Sequence, residues 1–358
     1  MKIAILASSA VFGGAERVAI NLANGFAARG HEVDLLLLEA AGEMLGELDP
    51  KVRVVDIHSA RGRFAVLPLR RYVSRAAPDA IIAISYEMNL AAGLALLGLQ
   101  RRPRLIMSVH GPMARMKAAS AGWRALASFL SRRLYPIADY VVAVSDGIAE
   151  ELVHARWVRP ERVRKIFNPV VTADLSERSA EALPPQLRVT PSLPTVVTVG
   201  RLAPEKNQLL LLQAFKRVIE NRPAQLWIVG EGPSRSQLEV AIRDLDLEES
   251  VQLAGFAANP LPIVRAADLF VLSSDREGFG NVIVEAMAVG TPVVSTDCPH
   301  GPRDILEGGK WGKLVPPGDP EFLAAAILDA LSNGGIDARQ RALDFTVDRA
   351  VDHYLALM

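Results

Sequence analysis

Cysteine occurs once in this chain of 358 residues, as Cys298. An internal disulfide and a multi-thiolate metal site are both excluded, which suits a reducing compartment. Long apolar runs are missing as well. The longest, Leu90 to Leu99, is half of the roughly 20 residues that a membrane-spanning helix needs. Walker A, H-E-x-x-H and G-x-S-x-G sequences are absent, which removes the simplest signs of a P-loop NTPase, a zinc protease and an α/β hydrolase. The one D-x-D, Asp244-Leu245-Asp246, falls in a polar helical stretch and reads as a solvated face rather than a metal–nucleotide site. Aromatic residues make up only 6%, but 50% of the chain is hydrophobic and 22% charged, so disorder and collagen-like repeats are excluded.

What is present is an alternation of short apolar runs with helical stretches. Strands are expected at Lys2–Ala7, Val33–Leu38, Val52–Val55, Ala80–Ile84, Leu105–Ser108 and Tyr140–Ser145. A second set is expected at Thr195–Val199, Gln225–Val229, Val251–Leu253, Leu269–Leu272, Pro292–Ser295 and Lys313–Val315. Runs apolar on both faces and separated by helices indicate parallel sheets with βαβ crossovers. The short apolar start, followed by Gly13-Gly14-Ala15-Glu16-Arg17 opening a helix, reads as a buried first strand rather than a signal peptide. Between the two sets, Ala182 to Thr195 holds Pro184, Pro185, Pro191 and Pro194, the expected domain junction. The fold class is therefore α/β, with two doubly wound Rossmann-like domains whose strand-end loops face an interdomain cleft.

The net charge is zero, yet unevenly spread. Residues 1–175 carry 23 Lys and Arg against 16 acids, and residues 176–358 carry 17 against 24. Within 51–133 there are 15 basic residues and only Asp56, Asp79 and Glu87 as acids. This stretch suits either an anionic partner or a solvated arginine-rich surface. It takes in nearly all of Met113 to Tyr135, a helical segment with Met116, Trp123, Leu126, Phe129, Leu130 and Leu134 among five basic residues. The segment reads either as an interfacial helix or as an ordinary crossover helix.

Three polar loops of the second half follow strands. Ser273 to Asn281 contains Glu277-Gly278-Phe279-Gly280 and opens a helix bearing Glu285. Its glycines let backbone N–H groups approach a phosphate, and its carboxylates suit sugar hydroxyls. Taken alone, it is also a plain helix start with an acidic first turn. Gly200 to Asn207 carries Arg201 and Lys206, which suit a diphosphate clamp or, equally, a surface ion-pair loop. Gly230-Glu231-Gly232-Pro233 is a strand-ending turn. In the first half, Ser108-Val109-His110-Gly111 sets a histidine just past a strand.

Together these pieces resemble the retaining family 4 (group 1) glycosyltransferases of GT-B fold. In the second half they are Val199–Asn207, Gly230–Pro233, Leu253–Phe256, the Glu277 to Glu285 spacing and Gly290–Val294. The first half adds Gly13–Arg17, His110-Gly111, Val144–Gly147 and Asn168–Val170. The resemblance implies an N-terminal acceptor-side domain over 1–180, a nucleotide-sugar domain over 181–340, and a terminal helix over 341–358 that crosses back to the first domain.

It also implies roles. Arg201 and Lys206 would hold the donor diphosphate, with Glu277 and His110 around the sugar. Phe279, Gly280, Asn281 and Val282 would meet sugar and phosphate through their backbone. Glu285 would take the ribose, Phe256 would sit beside the base, and Gly14 and Glu231 would complete the donor pocket. The implied activity is sugar transfer from a nucleotide sugar, a UDP-sugar, to a glycan or polyprenyl-linked acceptor in bacterial cell-surface polysaccharide synthesis. No metal and no nucleic acid are expected, and an anionic membrane surface is an expected partner. The expected location is the cytoplasm, peripheral to the inner face of the plasma membrane. Two alternatives stay open: a GT-B nucleotide-sugar epimerase, and a non-catalytic binding protein on the same scaffold.

Overall fold

The computed structural model describes residues 1–11, 13–59, 62–111 and 121–358, without the side chains at 63, 121–125 and 127. Its strands are β1 (Lys2–Ala7), β2 (Glu32–Leu37), β3 (Val52–Asp56), β4 (Ala80–Ile84), β5 (Arg104–Val109), β6 (Tyr140–Ala143) and β7 (Val163–Lys165). The series continues with β8 (Thr195–Val199), β9 (Gln225–Val229), β10 (Val251–Gly255), β11 (Leu269–Leu272), β12 (Val293–Thr296) and β13 (Lys313–Val315). The chain forms two compact units, Met1–Val170 with Phe345–Met358, and Val171–Asp344.

The first unit holds the sheet β3-β2-β1-β4-β5-β6-β7, the second β10-β9-β8-β11-β12-β13. Every pairing is parallel. Strand order reverses between β1 and β4 and between β8 and β11. Those reversals are the switch points where loops on either side diverge and leave room for a ligand. Central strands such as β4 and β9 are buried along their whole length, as their unbroken apolar runs require. The strand β7 is not foreshadowed in the sequence. Val-Arg-Lys is too short and too charged to show a pattern, and it forms because it pairs with β6 at the sheet edge.

The proline-rich stretch Ala182–Thr195 lies inside the second unit and not at its boundary. It straps the β9–β10 edge. Trp227 Nε1 donates to the Arg188 carbonyl at 3.0 Å, and the Arg188 backbone N–H donates to Gln252 Oε1 at 2.7 Å. Its prolines shape a docked strap, a role that composition does not separate from a linker.

The end of the chain belongs to the first unit. The helix Val347–Leu355, capped by Thr346, packs Ala350, Val351 and Tyr354 into the core shared by β1, β2 and the helix Gly14–Ala28. Arg29 fastens its outer face, at 2.8 Å from Asp352 and 3.1 Å from Asp348. Of the segment Met113 to Tyr135, residues 113–120 lie outside the described residues, and Ala121–Leu134 is helical.

Candidate active site

In the second unit the loops after β8 and β11 meet over the switch point. The first runs Gly200 to Asn207 and feeds the helix Gln208–Asn221; the second runs Ser273 to Gly280 and feeds the helix Asn281–Val289. Both helices therefore direct their N-termini, the positive ends of their dipoles, at the same strand edge. Asn207 ties the loops together. In left-handed backbone (φ 46°), it caps its helix by accepting from the Leu210 N–H at 3.2 Å, while its Nδ2 donates to Asp275 Oδ1 at 2.8 Å. Gly280 caps the second helix at φ 108°, a conformation that favours glycine, and contributes no side chain that would block the helix end.

The centre of the arrangement is an ion pair. Lys206 Nζ donates to Glu277 Oε1 at 2.6 Å, and Ser274 Oγ donates to the same oxygen at 2.7 Å. Glu277 is only 8% exposed, so its charge depends on these partners. Ser273 Oγ also holds the Lys206 carbonyl, at 3.0 Å. Sequence reasoning missed Ser273, Ser274 and Asn207. The signal was available as two hydroxyls ending an otherwise apolar strand. Behind them Cys298 is buried, and its thiol is pushed up to about 12 by burial and then by the Glu277 carboxylate.

The remaining candidates of this unit lie on the segments that follow β8, β9, β10 and β11. The Arg201 guanidinium donates to Glu205 Oε1 at 2.7 Å and is largely exposed. Glu231 is engaged by Arg235, 2.6 Å away, while its backbone carbonyl accepts from the Leu202 N–H at 2.9 Å. Phe256 follows β10 and is 54% exposed. Phe279 is buried under the loop, and Asn281, Val282 and Glu285 are partly exposed along the first turns of the helix. Among the described residues no group of acids, histidines or cysteines is arranged to hold a metal.

Gly14 and His110 are in the first unit, after β1 and β5, again at carboxyl strand ends. His110 Nε2 is 2.8 Å from Ser108 Oγ, which is 3.0 Å from the Tyr354 hydroxyl on the terminal helix. Burial pushes His110 down to about 4, with Asn168 opposing the shift, so its ring is neutral near pH 7.

Two Rossmann-like sheets, each with polar loops gathered at its switch point, define an α/β protein of GT-B architecture. Residues 193–333 match the model of the family described as glycosyl transferases group 1, and residues 12–174 match that of glycosyltransferase family 4. The chain belongs to these group 1, family 4 glycosyltransferases.

One relative is the N-acetylgalactosamine-N,N'-diacetylbacillosaminyl-diphospho-undecaprenol 4-alpha-N-acetylgalactosaminyltransferase of Campylobacter jejuni, 32% identical over 52% of this chain and 49% of that protein. The match thus spans about half the length of that relative. The lipopolysaccharide core biosynthesis glycosyltransferase LpsE of Rhizobium meliloti is 28% identical over 97% of this chain and 96% of its own. Among solved structures, the Anabaena protein HepE in complex with UDP-glucose superposes with a TM-score of 0.79 at 24% identity, covering 100% of both chains.

Proposed function

We propose that the protein is a retaining glycosyltransferase that moves a sugar from a UDP-sugar to a lipid-linked or lipopolysaccharide-type glycan acceptor. The observation that carries this reading is the Lys206–Glu277 pair, set at a switch point between two helix N-termini. Breaking the bond between sugar and nucleotide places new negative charge on the leaving diphosphate. Arg201, Lys206 and the N–H groups at Asn281 are cationic or dipolar groups suited to stabilise it more in the transition state than in the ground state. They supply that stabilisation without a metal. Glu277 keeps Oε2 for a sugar hydroxyl while Oε1 anchors Lys206, and the Glu285 carboxylate suits the ribose hydroxyls. With Oε1 committed to the lysine, Glu277 is poorly suited as a nucleophile, which favours same-face attack assisted by the leaving phosphate.

The choice of donor and acceptor is supported by the named partners of similar proteins: UDP-glucose in the Anabaena structure, undecaprenol-linked sugar in the Campylobacter relative and lipopolysaccharide core in LpsE. We place the enzyme in the cytoplasm, peripheral to the inner face of the plasma membrane. Support comes from exposed apolar side chains in the basic stretch, Phe64, Leu67, Leu126 and Phe129, beside Arg70, Arg71, Arg132 and Arg133. Within the described residues no helix is long and apolar enough to cross a membrane.

Nucleotide release, screened over UDP-, GDP- and ADP-sugars with a lipid-linked glycan acceptor, tests the reading. Release from a UDP-sugar that requires the acceptor is expected. An epimerised donor formed without acceptor would instead indicate the epimerase, and tight donor binding with no turnover would indicate a binding protein.

A further inference from the structure

At the end of the first sheet opposite to Gly14 and His110, the segments leading into β6 and β7 enclose a pocket of about 540 Å³. Its lining includes Pro136, Arg156, Trp157, Arg159, Pro160 and Arg162. The wall is firm. Trp157 is 2% exposed and packs on Tyr135 and Tyr86, with ring centroids 5.3 and 5.9 Å away. Arg162 is fixed in place because its Nη1 donates to the Pro136 and Ala138 carbonyls at 2.8 and 3.0 Å. Arg156 and Arg159 are exposed at the rim.

The charges at this pocket are unbalanced. Some arginines of the same unit are matched to acids, Arg102 to Asp139, Arg53 to Asp34 and Arg29 to Asp352, while others such as Arg70 and Arg104 bond to backbone carbonyls. Among the described residues none of Arg156, Arg159 and Arg162 is paired with a carboxylate. Glu161 is the one acid within 155–165, and it is exposed and outside the lining. Arg162 is braced by backbone carbonyls, and Arg156 and Arg159 join the same lining from exposed positions, so an anion there would meet three guanidiniums with no carboxylate competing for them. Their forked donors match phosphate oxygens.

We propose that this pocket is a second anion site, which takes the phosphate groups of a ligand, presented either by a soluble diphosphate or by a lipid headgroup. It belongs to the first unit and does not rest on the reading of the second unit's loops as a donor site.

The test compares the wild-type protein with the Arg156→Gln/Arg159→Gln variant, keeping Arg162 because it braces the backbone. Inorganic pyrophosphate is titrated in the presence of excess UDP, with calorimetry and tryptophan fluorescence as readouts. Flotation is measured with vesicles of equimolar phosphatidylcholine and phosphatidylglycerol. Binding about tenfold weaker in the variant, and falling with salt, is expected in at least one arm. Loss in the pyrophosphate arm identifies a soluble source, and loss confined to flotation identifies a headgroup. Equal behaviour of both proteins in both arms overturns the site. Since the comparison is between variant and wild type, failure of UDP to bind would count against the donor reading alone.

Discussion

Lys206 Nζ lies 2.6 Å from Glu277 Oε1, although 71 positions separate the two residues. The pair couples the loop after β8 to the loop after β11, so the two carry a joint energetic role. Lys206→Ala leaves a nearly buried carboxylate with only Ser274. About 3 kcal/mol of stability is expected to go with it, and turnover is expected to fall about 10²–10³-fold. Glu277→Gln removes the charge and keeps the shape, so it should cost less stability while slowing transfer. Thermal unfolding and nucleotide-release rates check both. Near-wild-type transfer by Lys206→Ala would sink the assignment.

Arg201 and Glu285 divide differently. Arg201 is exposed and paired only with Glu205, so Arg201→Ala should leave the melting temperature nearly unchanged. It should lower turnover by about 10- to 150-fold through one lost charge-assisted hydrogen bond. Glu285→Ala should weaken UDP itself, by about tenfold, if the carboxylate holds the ribose. Calorimetry with UDP and turnover measurements, run on both variants, separate the two roles. UDP affinity unchanged in Glu285→Ala would move the ribose elsewhere.

How much of this was legible in the sequence differs by element. Apolar strands such as β1, β4 and β9 announce themselves because both faces are buried, whereas β7 exists only through its neighbour β6. The loops that carry Lys206 and Glu277 are readable as polar strand ends because they sit directly after strong strands, and the helix that carries Glu285 is readable from the loop that opens it. What stays hidden is which side chains meet: nothing in the spacing shows that Glu277 is anchored by Lys206, or that Asn207 reaches Asp275. Those contacts depend on β8 and β11 being neighbours, a property of sheet order rather than of either loop. The proline strap Ala182–Thr195 misleads for a related reason, since its docking is set by Trp227, Gln225 and Gln252 on remote strands.

His110 predicts a pH dependence with a definite sign. Burial holds its folded-state pKa near 4, below the ordinary 6.5. Between those values the unfolded chain binds the extra proton, so stability rises with pH through that window and is lost as pH falls towards 4. His31 is shifted the same way by burial and adds to the slope. His110→Asn should therefore flatten, without abolishing, the pH dependence of the melting temperature between about 4 and 6.5. An unchanged slope would mean that His110 titrates normally.

If the basic stretch engages a membrane, charge on the last turn of the helix Ala121–Leu134 should matter. Each basic residue near an anionic surface gains about 1 kcal/mol, and salt removes it. Arg132→Glu with Arg133→Glu should release the protein from anionic vesicles at low salt while UDP affinity stays constant. Equal flotation with neutral and anionic vesicles would favour a soluble acceptor.

The terminal helix sets up a conflict between local and tertiary preference at Gly25. In an isolated helix Gly→Ala stabilises by about 1 kcal/mol. Here a Cβ at position 25 would meet Val347 Cγ1 at 2.6 Å and Val351 Cγ2 at 2.7 Å, both on the helix Val347–Leu355. Overpacking of this kind costs about 1–3 kcal/mol, so the tertiary effect should win and Gly25→Ala should destabilise the first unit. The displaced helix carries Tyr354, whose hydroxyl reaches Ser108, so loosening should also expose the chain end to trypsin at Arg349. Adding Val351→Ala opens space, and the double variant should be more stable than the sum of the two single changes. Thermal melts of all four proteins measure that coupling. Additive losses, or a stabilised Gly25→Ala protein, would show that the two helices are not in contact at this residue.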